Sequence, residues 1–217
     1  MNALMDNAEL QGLIKRCPPE IYRQLEIKHV GTGEILFFQG ETPRFTYILL
    51  EGNFKSYHCN PLGAKYFIAI LYPGEILGEV EGLESLPYCG TLEAIRDSTL
   101  LVIPHAVYEE WLRQDVNFSL YVYKVLCRKF YSLVKKSAED GLYPLKYRLL
   151  NLLIYLHGEN GAGMPVQKEL LVETLGSTPP SIERIIADLT AKELIECRDA
   201  EIRVLSVDGL NKELWLS

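Results

Sequence analysis

The chain has 217 residues, of which 48% are hydrophobic and 24% are charged, and its 22 basic and 29 acidic residues give a net charge of −7. This composition is typical of a globular protein with one large domain or two ordinary ones. The negative charge argues against a surface that is basic all over, but it allows a local basic patch. We expect a cytoplasmic protein without a membrane partner, because no apolar run reaches the ~18 residues of a membrane span and the start lacks the order of a signal peptide.

The five cysteines are scattered along the chain, and no two of them form a Cys-x-x-Cys pair. An odd, dispersed set argues against a disulfide framework and against a zinc knuckle. The histidines are equally isolated, without the His-x-His pair that metal chemistry in a β-roll needs. We therefore expect neither a metal site nor a cofactor.

The first half of the chain is rich in β-forming residues. After a helical lead-in over about residues 6–26, short runs within 30–104 such as GEILFFQG, YILLEGNFKSYHC and STLLVIP are bounded by Gly, Pro or Asn turns. Several short strands at this spacing predict an antiparallel roll or barrel.

A long helix is predicted next, because no glycine or proline interrupts residues 115–138. Its apolar residues follow a heptad pattern. They are Val116, Tyr123 and Phe130, with Leu126 and Leu133 at the intervening position and Leu120 and Val134 beside them. Such a seam packs either against the chain's own roll or against a second copy. We favour a parallel homodimer, because lysines and arginines occupy other positions of the helix.

The last third of the chain begins with EDGLYPL (139–145), which is predicted to break the long helix and to act as a hinge. Apolar residues at helical spacing then predict three helices, the second of which stops at Gly176. The stretch LIECRDAEIRVLSV is typical of a small β-hairpin with a charged tip. Helix, short helix, tight turn, helix and hairpin follow each other in the order of a winged helix-turn-helix.

Two adjacent prolines, Pro179 and Pro180, mark the start of the third of these helices. Thr178 is well placed as the N-cap, so that Pro179 takes the first helical position, where its missing amide is harmless. Because Pro180 also lacks an amide, we expect the Thr178 hydroxyl to accept a hydrogen bond from the amide of Ser181. The prolines therefore start the helix and do not break it.

The N-terminal end of this helix enters the major groove in a helix-turn-helix protein. Prolines offer only the apolar contact that a thymine methyl accepts, so Arg184 is the predicted base reader, with a fork that matches guanine O6 and N7. The alternative is an ion pair between Arg184 and Asp188, one turn further on. Ser181 and Lys168 are expected to touch phosphates. The predicted local basic patch consists of Lys146, Lys168, Arg184, Arg198 and Arg203, and its binding should weaken steeply with salt.

Residues 20–205 resemble the Crp–Fnr family of transcription regulators. The effector domain of that family is matched by GTGEILFFQGE (31–41), YILLEGNFK (47–55), LYPGEILGEVEGL (71–83) and TLEAIRDSTLLVIP (91–104). Its winged helix is matched by LGSTPPSIERIIADLTAKELI (175–195), and GLYPLKYRLLNLLI is similar to the YeiL-type branch. The resemblance implies a homodimer that reads an inverted repeat in double-stranded operator DNA, with RNA polymerase as a further partner.

The family's cofactors and effectors fit this sequence poorly. In the members that bind cyclic AMP, a Gly-Glu pair precedes by about ten residues an arginine that neutralises the cyclic phosphate. Here Gly78 and Glu79 are present, but Tyr88 and Cys89 stand in the neighbourhood of that arginine. A buried phosphate would remain unpaired at a cost of several kcal/mol. We therefore expect these four residues to line the pocket of an unknown small effector other than cyclic AMP, unless Glu79 simply caps a turn.

Two further cofactors of the family are not expected either. The oxygen-sensing members hold an iron–sulfur cluster through four cysteines, three of them near the N-terminus, where this chain has only Cys17. Haem is unsupported, because His29, His58 and His105 are isolated.

The predicted fold class is α+β: an N-terminal antiparallel β-roll of the double-stranded β-helix (jelly-roll) type, a long dimerisation helix and a C-terminal winged helix-turn-helix. The predicted domains are an effector-sensing roll with its lead-in (1–114), the dimerisation helix (115–138), the hinge (139–145) and the DNA-binding domain (146–217). A regulator that needs no ligand, or that responds to oxidation of Cys89, is the alternative. A cupin-like enzyme is remote, since the chain has no His-x-His pair, no Gly-x-Ser-x-Gly elbow and no phosphate loop, and we expect no enzyme.

Overall fold

The computed structural model describes residues 7–61, 63, 65–160 and 165–215. The chain divides into two compact units. The first unit comprises Met1–Ala64 and Ile68–Ser132, and the second comprises Lys65–Phe67 and Leu133–Ser217.

The first unit is built on antiparallel strands flanked by helices. Its elements are α1 (Asn7–Arg16), α2 (Pro19–Tyr22), β1 (Glu26–Val30), β2 (Ile35–Phe37), β3 (Phe45–Cys59), the part of β4 (Lys65–Leu71) that follows Phe67, β5 (Ile76–Leu77), α3 (Glu79–Glu84), β6 (Thr91–Pro104), α4 (His105–Gln114) and the first part of α5 (Val116–Leu142). The strand order is β1-β6-β3-β4, with β2 also paired to β6 and β5 to β3.

The long strands β3 and β6 form the spine of this sheet, paired antiparallel from Phe45 opposite Pro104 to Tyr57 opposite Thr91. The register shifts around Glu51, where Gly52 has φ of +89°. A Cβ on Gly52 would lie 2.6 Å from the Cα of Ser98, so this bulge requires glycine. The bulge bends the strands and lets the sheet curl into a roll.

Apolar side chains fill the first unit on both sides of the sheet. Leu49, Phe54 and Leu100 are fully buried inside the roll. Between the sheet and the helices, the ring of Trp111 stacks on that of Phe118 with a centroid distance of 3.7 Å. This second cluster fixes α4 and the beginning of α5 against the roll.

The second unit is a small helical domain with a three-stranded sheet. After the end of α5 its elements are α6 (Leu145–Asn160), β7 (Val166–Gln167), α7 (Lys168–Leu175), α8 (Pro179–Ala191), β8 (Ile195–Arg198), β9 (Glu201–Val204) and α9 (Val207–Leu214). The sheet has the order β7-β9-β8 and is antiparallel. Fully buried leucines and isoleucines from α6 to α9 form its core.

The predicted α+β fold with an antiparallel sheet and a C-terminal helix-turn-helix is confirmed. The predicted end of the long helix at Ala138 is wrong, because α5 continues to Leu142 and the break is confined to Tyr143 and Pro144. Asp140 supports the extra turn by pairing with Lys136, four residues earlier. The sequence also did not indicate β7 and α9. Among the described helices, none has both the length and the apolar character that crossing a membrane requires.

Candidate functional site

Helices α7 and α8 and the three residues between them form the helix-turn-helix. Gly176 ends α7 in the left-handed conformation, with φ of +56°. Thr178 is the extended N-cap residue, and Pro179 and Pro180 occupy the first two helical positions. Because amides at these positions have no partner inside a helix, the two prolines cost no hydrogen bond. They start the helix, as the sequence predicts.

The predicted side-chain cap of α8 is wrong. The Ser181 amide donates to the backbone carbonyl of Thr178 at 3.0 Å, and the Thr178 hydroxyl makes no cap bond. The hydroxyls of Thr178 and Ser181 instead bond to each other at 3.0 Å. A tight backbone turn therefore satisfies the amide and leaves two hydroxyls side by side at the start of the helix.

The two sides of α8 differ sharply in exposure. Ile182, Ile186 and Leu189 face the core of the second unit. The opposite side, here called the open face of α8, consists of Pro179, Pro180, Glu183, Arg184 and Ala187. These residues share one side because they are spaced by three and four positions. The open face thus combines two prolines, one methyl group, one acid and one base.

Arg184 has an unengaged guanidinium. Within the described part of the chain it forms no hydrogen bond and no ion pair. Its alternative partner Asp188 is occupied by Lys146 at 3.0 Å and Lys192 at 3.2 Å. A groove of about 420 Å³ lies beside Arg184, lined also by Pro144 and Ile185. The side chain is therefore available for an external acceptor.

Lys146, Lys192, Asp188 and Glu213 form a network of four charges in which each lysine contacts both acids, at 2.7 to 3.2 Å. The bonds from Lys146 and Lys192 hold the pKa of Asp188 and of Glu213 below its ordinary value. The bond to Glu213 is the main reason that the pKa of Lys146 is raised. The network ties α6, α8 and α9 together. Lys146, predicted as part of the basic patch, is therefore already paired with two acids of the protein.

The other cations of the predicted patch lie on α7 and on the hairpin. Lys168 pairs with Glu183 at 3.1 Å, and its backbone amide donates to the carbonyl of Ala200 at the hairpin tip. Arg198 ends strand β8 with 79% of its side chain exposed and contacts Glu196. Arg203 is also exposed. The structure thus places Lys168, Arg184 and Arg198 on the surface of one unit.

The predicted effector region holds an aromatic stack. Tyr88 is buried, its ring lies on that of Phe37 with a centroid distance of 3.6 Å, and its hydroxyl donates to the carbonyl of Phe45. Burial raises the pKa of the Tyr88 phenol. Gly78 has φ of +75°, and a Cβ there would lie 3.0 Å from the Tyr88 ring. The residue in the neighbourhood of the family's arginine is therefore a packed ring.

Glu79 does not cap a turn. Its side chain is almost completely buried, and it accepts a bond from the Lys129 ammonium of α5 at 2.8 Å. Lys129 also donates to the carbonyl of Ile76. The acid of the Gly-Glu pair is thus neutralised by a lysine of the same unit.

Cys89 lies next to this region with its backbone amide bonded to the carboxylate of Glu81 at 3.3 Å. Desolvation, together with Glu81, raises the pKa of the Cys89 thiol to about 11. At neutral pH the sulfur is a thiol, which is a weak nucleophile compared with a thiolate. Over the described residues, no group of His, Cys, Asp and Glu could hold a metal ion.

Helix α5 has two apolar sides. Phe118, Tyr121, Val122 and Val125 are buried in the first unit. The other side, here called the open stripe of α5, consists of Val116, Leu120, Tyr123, Cys127, Phe130 and Val134, all exposed. Their alternating steps of four and three are the heptad pattern.

Two residues of the predicted seam lie outside this open stripe. Leu126, predicted for it, packs partly buried against the core of the first unit, and Leu133 is exposed one position away from the stripe. In the open stripe, the positions between Val116, Tyr123 and Phe130 are taken by Leu120 and Cys127, and Val134 follows Phe130.

Two domain families match the chain. The cyclic nucleotide-binding domain matches residues 27–115, and the Crp-like helix-turn-helix domain matches residues 147–213. A transcriptional regulator of the Crp/Fnr family from Eubacterium rectale has a similar structure, with a TM-score of 0.80 over 94% of this chain and 97% of that one, at 17% identity. The chain belongs to the Crp–Fnr family of transcription regulators.

Relatives of this Crp–Fnr regulator are similar over different lengths. A protein of Lacticaseibacillus casei described as the transcriptional regulator flp is 22% identical over 191 residues, which is 87% of either chain. Lysophospholipase nte1 of Aspergillus niger is 28% identical over 136 residues, which is 62% of this chain but 9% of that protein. The chain thus spans less than a tenth of the lysophospholipase.

Two residues of this Crp–Fnr regulator, Glu183 and Lys129, were not predicted from the sequence. Glu183 could have been found from helical spacing, because it lies three residues after Pro180 and precedes Arg184 on the same side. Lys129 could not, because its partner Glu79 is 50 positions away in the chain.

Proposed function

We propose that this Crp–Fnr regulator is a homodimer that binds an inverted repeat in double-stranded DNA and reads it with α8. The observation that carries the proposal is the free guanidinium of Arg184 on the open face of α8. In a helix-turn-helix protein this face lies against base edges, and an arginine fork matches guanine O6 and N7. The neighbouring prolines would contact thymine methyl groups.

Phosphate contacts would position the reading helix. The hydroxyls of Thr178 and Ser181, the ammonium of Lys168 and the guanidinium of Arg198 are the groups at hand. Residues 145–217 contain eight lysines and arginines against eleven aspartates and glutamates. Binding therefore depends on a few local cations and falls steeply as salt rises.

The open stripe of α5 supports the dimer. Two parallel copies would bury six apolar or small residues per chain in heptad register. To read successive major grooves, the two reading helices of such a dimer must lie about 34 Å apart, one turn of DNA. RNA polymerase as a partner, the absence of catalysis and a cytoplasmic location remain predictions that follow from this role.

The effector, on this proposal, is a small molecule other than cyclic AMP. A cyclic phosphate needs a cation, whereas the region near Glu79 presents the packed ring of Tyr88 and a lysine that is already paired. A regulator without a ligand is the second candidate, favoured by these same internal contacts. Melting the protein with and without a panel of metabolites separates the two, because a ligand that binds the folded state raises the melting temperature.

Selection from random duplex DNA at fixed moderate salt tests the proposal. The wild-type chain should enrich an inverted repeat with half-sites one helical turn apart. Arg184→Ala should lose one guanine preference per half-site, while Arg113→Ala, an exposed arginine of α4 in the first unit, should enrich the wild-type sequence. The proposal fails if the wild-type chain enriches nothing with its candidate metabolites present, or if Arg184→Ala retains every base preference.

A further inference from the structure

Glu183 is an acid in an unfavourable place for a DNA-binding protein. It lies on the open face of α8 beside Arg184, and 57% of its side chain is exposed. DNA carries one negative charge per ~1.7 Å of helix axis, so a carboxylate that faces it is repelled. Asp188, further along the same helix, is neutralised by two lysines. Glu183 has only one lysine partner among the described residues, so a favourable contact with the DNA is needed to offset this repulsion.

Lys168 binds only one of the two oxygens of the Glu183 carboxylate. The Nζ of Lys168, the first residue of α7, lies 3.1 Å from Oε1 of Glu183. Within the described chain, Oε2 has no hydrogen-bond partner. Lys168 is itself anchored, because its backbone amide donates to the carbonyl of Ala200. One carboxylate oxygen is thus tethered by Lys168, and the other remains available for an external donor.

The chemistry of the major groove narrows the choice of base. A carboxylate accepts hydrogen bonds, and the donors in this groove are the exocyclic amines of cytosine and adenine. Guanine and thymine present acceptor oxygens, which repel a carboxylate. Adenine places the N7 acceptor beside its amine, which disfavours the second carboxylate oxygen. Cytosine N4 is the edge that suits Glu183 best.

We propose that Glu183 is a second specificity-determining residue of the reading helix, which accepts a hydrogen bond from the exocyclic amine of one cytosine in each half-site. Lys168 is the positioning residue that orients the carboxylate. The inference rests on the proposed function, since it needs the open face of α8 to lie against base edges. It adds a cytosine to the guanine assigned to Arg184, so that two adjacent residues of opposite charge read one cytosine and one guanine in each half-site.

The test uses the full-length protein and the duplex that the wild-type chain selects. Binding is compared at one salt concentration on that duplex and on duplexes in which each half-site cytosine is changed in turn. Wild type should lose about ten-fold or more in affinity at one of these cytosines, the discrimination expected for a good base contact. Glu183→Ala should bind both versions of that position equally. Asp208→Asn, which removes an exposed acid on α9, should retain the wild-type preference.

A second probe isolates the amine. The same cytosine is replaced by 2-pyrimidinone, which lacks the exocyclic amine, and wild type should lose affinity while Glu183→Ala should not. Lys168→Met should keep a cytosine preference that is weaker than in wild type, because the carboxylate remains but is no longer tethered.

The results distinguish failure of the Glu183 inference from failure of the proposed function. If Glu183→Ala binds all sequences more tightly by one common factor and keeps every preference, Glu183 only repels phosphate and the inference is overturned while the proposed function stands. If wild type selects an inverted repeat but discriminates against no cytosine replacement beyond what Glu183→Ala does, the inference is overturned as well. If wild type selects no sequence, the proposed function fails and this inference fails with it.

Discussion

The carboxylate of Glu79 lies 2.8 Å from the ammonium of Lys129, and this ion pair joins α3 to α5 inside the first unit. The side chain of Glu79 is 3% exposed and that of Lys129 is 25% exposed, so water screens the pair far less than it screens a surface pair. Glu75 lies close by, and its burial raises the pKa of its carboxyl while Lys129 opposes that shift. One lysine of the long helix therefore compensates for a buried acidic region of the roll.

Loss of this lysine should be costly. Lys129→Met leaves the Glu79 carboxylate buried without a partner, and we expect the free energy of unfolding to fall by about 3 kcal/mol. Adding Glu79→Gln should restore part of that loss, because the uncompensated charge is gone. Urea denaturation checks both variants. Lys124→Met is the matched control: its pair with Glu9 is more than half exposed on both sides, and it should cost less than about 1 kcal/mol.

The open stripe of α5 leads to a prediction about the dimer. Phe130→Asp places a charge in the heptad position that the dimer would bury, so we expect sedimentation to show a monomer. Tyr131→Asp changes the neighbouring aromatic residue, which is 73% exposed and lies outside the stripe, and should leave the dimer intact. Equal behaviour of the two variants would contradict the assignment of the stripe.

Stability should depend on pH through His105. Its Nδ1 lies 3.0 Å from the Thr46 hydroxyl, its Nε2 is buried without a partner in the described structure, and its ring packs against Gly82. Burial holds the pKa of His105 below its ordinary value of 6.5, and the carboxylates of Glu109 and Glu81 oppose this shift more weakly.

The unfolded chain takes up a proton on this histidine near pH 6.5, whereas the folded chain resists doing so until a lower pH. The contribution of His105 to stability is therefore complete above pH 6.5 and declines as the pH falls towards the folded-state pKa. Urea denaturation between pH 5 and 7.5 should show a smaller pH dependence in His105→Gln than in wild type. Identical pH profiles would count against this assignment.

The tip of the hairpin between β8 and β9 carries local strain. Asp199 and Ala200 both have positive φ, +48° and +69°, in the two-residue loop closed by Arg198 and Glu201. This conformation costs a residue with a Cβ about 1 kcal/mol, which glycine avoids. Ala200→Gly should therefore stabilise the protein by about that amount in thermal unfolding. Ala187→Gly, inside α8, should destabilise it by a similar amount.

Much of the second unit could be predicted from the sequence because its signals are local. Gly176, the two prolines and the spacing of Ile182, Ile186 and Leu189 define the turn and α8 without reference to the rest of the chain. The predicted side-chain cap is wrong because the backbone carbonyl of Thr178 competes with its hydroxyl for the amide of Ser181. Strand β7 is only two residues long, too short to show an alternating pattern.

The seam of α5 shows why periodicity alone is insufficient. Both sides of the helix are apolar, since one packs on its own unit and the other is left open. Leu126 and Cys127 are neighbours in the sequence, yet they face opposite environments. Assigning the two stripes needs the core cluster that buries Phe118 and Val125, and this cluster includes residues from distant parts of the chain such as Leu10 and Ile48. The pair of Glu79 with Lys129 escaped notice for the same reason.

The two prolines of α8 also change what the beginning of this helix can bind. A helix usually presents free amides at its N-terminus, and these amides attract anions. Here Pro179 and Pro180 have none, and the amides of Ser181 and Ile182 both donate to the carbonyl of Thr178. A phosphate that approaches this end of α8 meets hydroxyls and hydrocarbon and finds no cradle of backbone amides. The start of α8 therefore lacks a backbone contact to phosphate, which would not depend on base sequence, and DNA binding at this end depends on side chains.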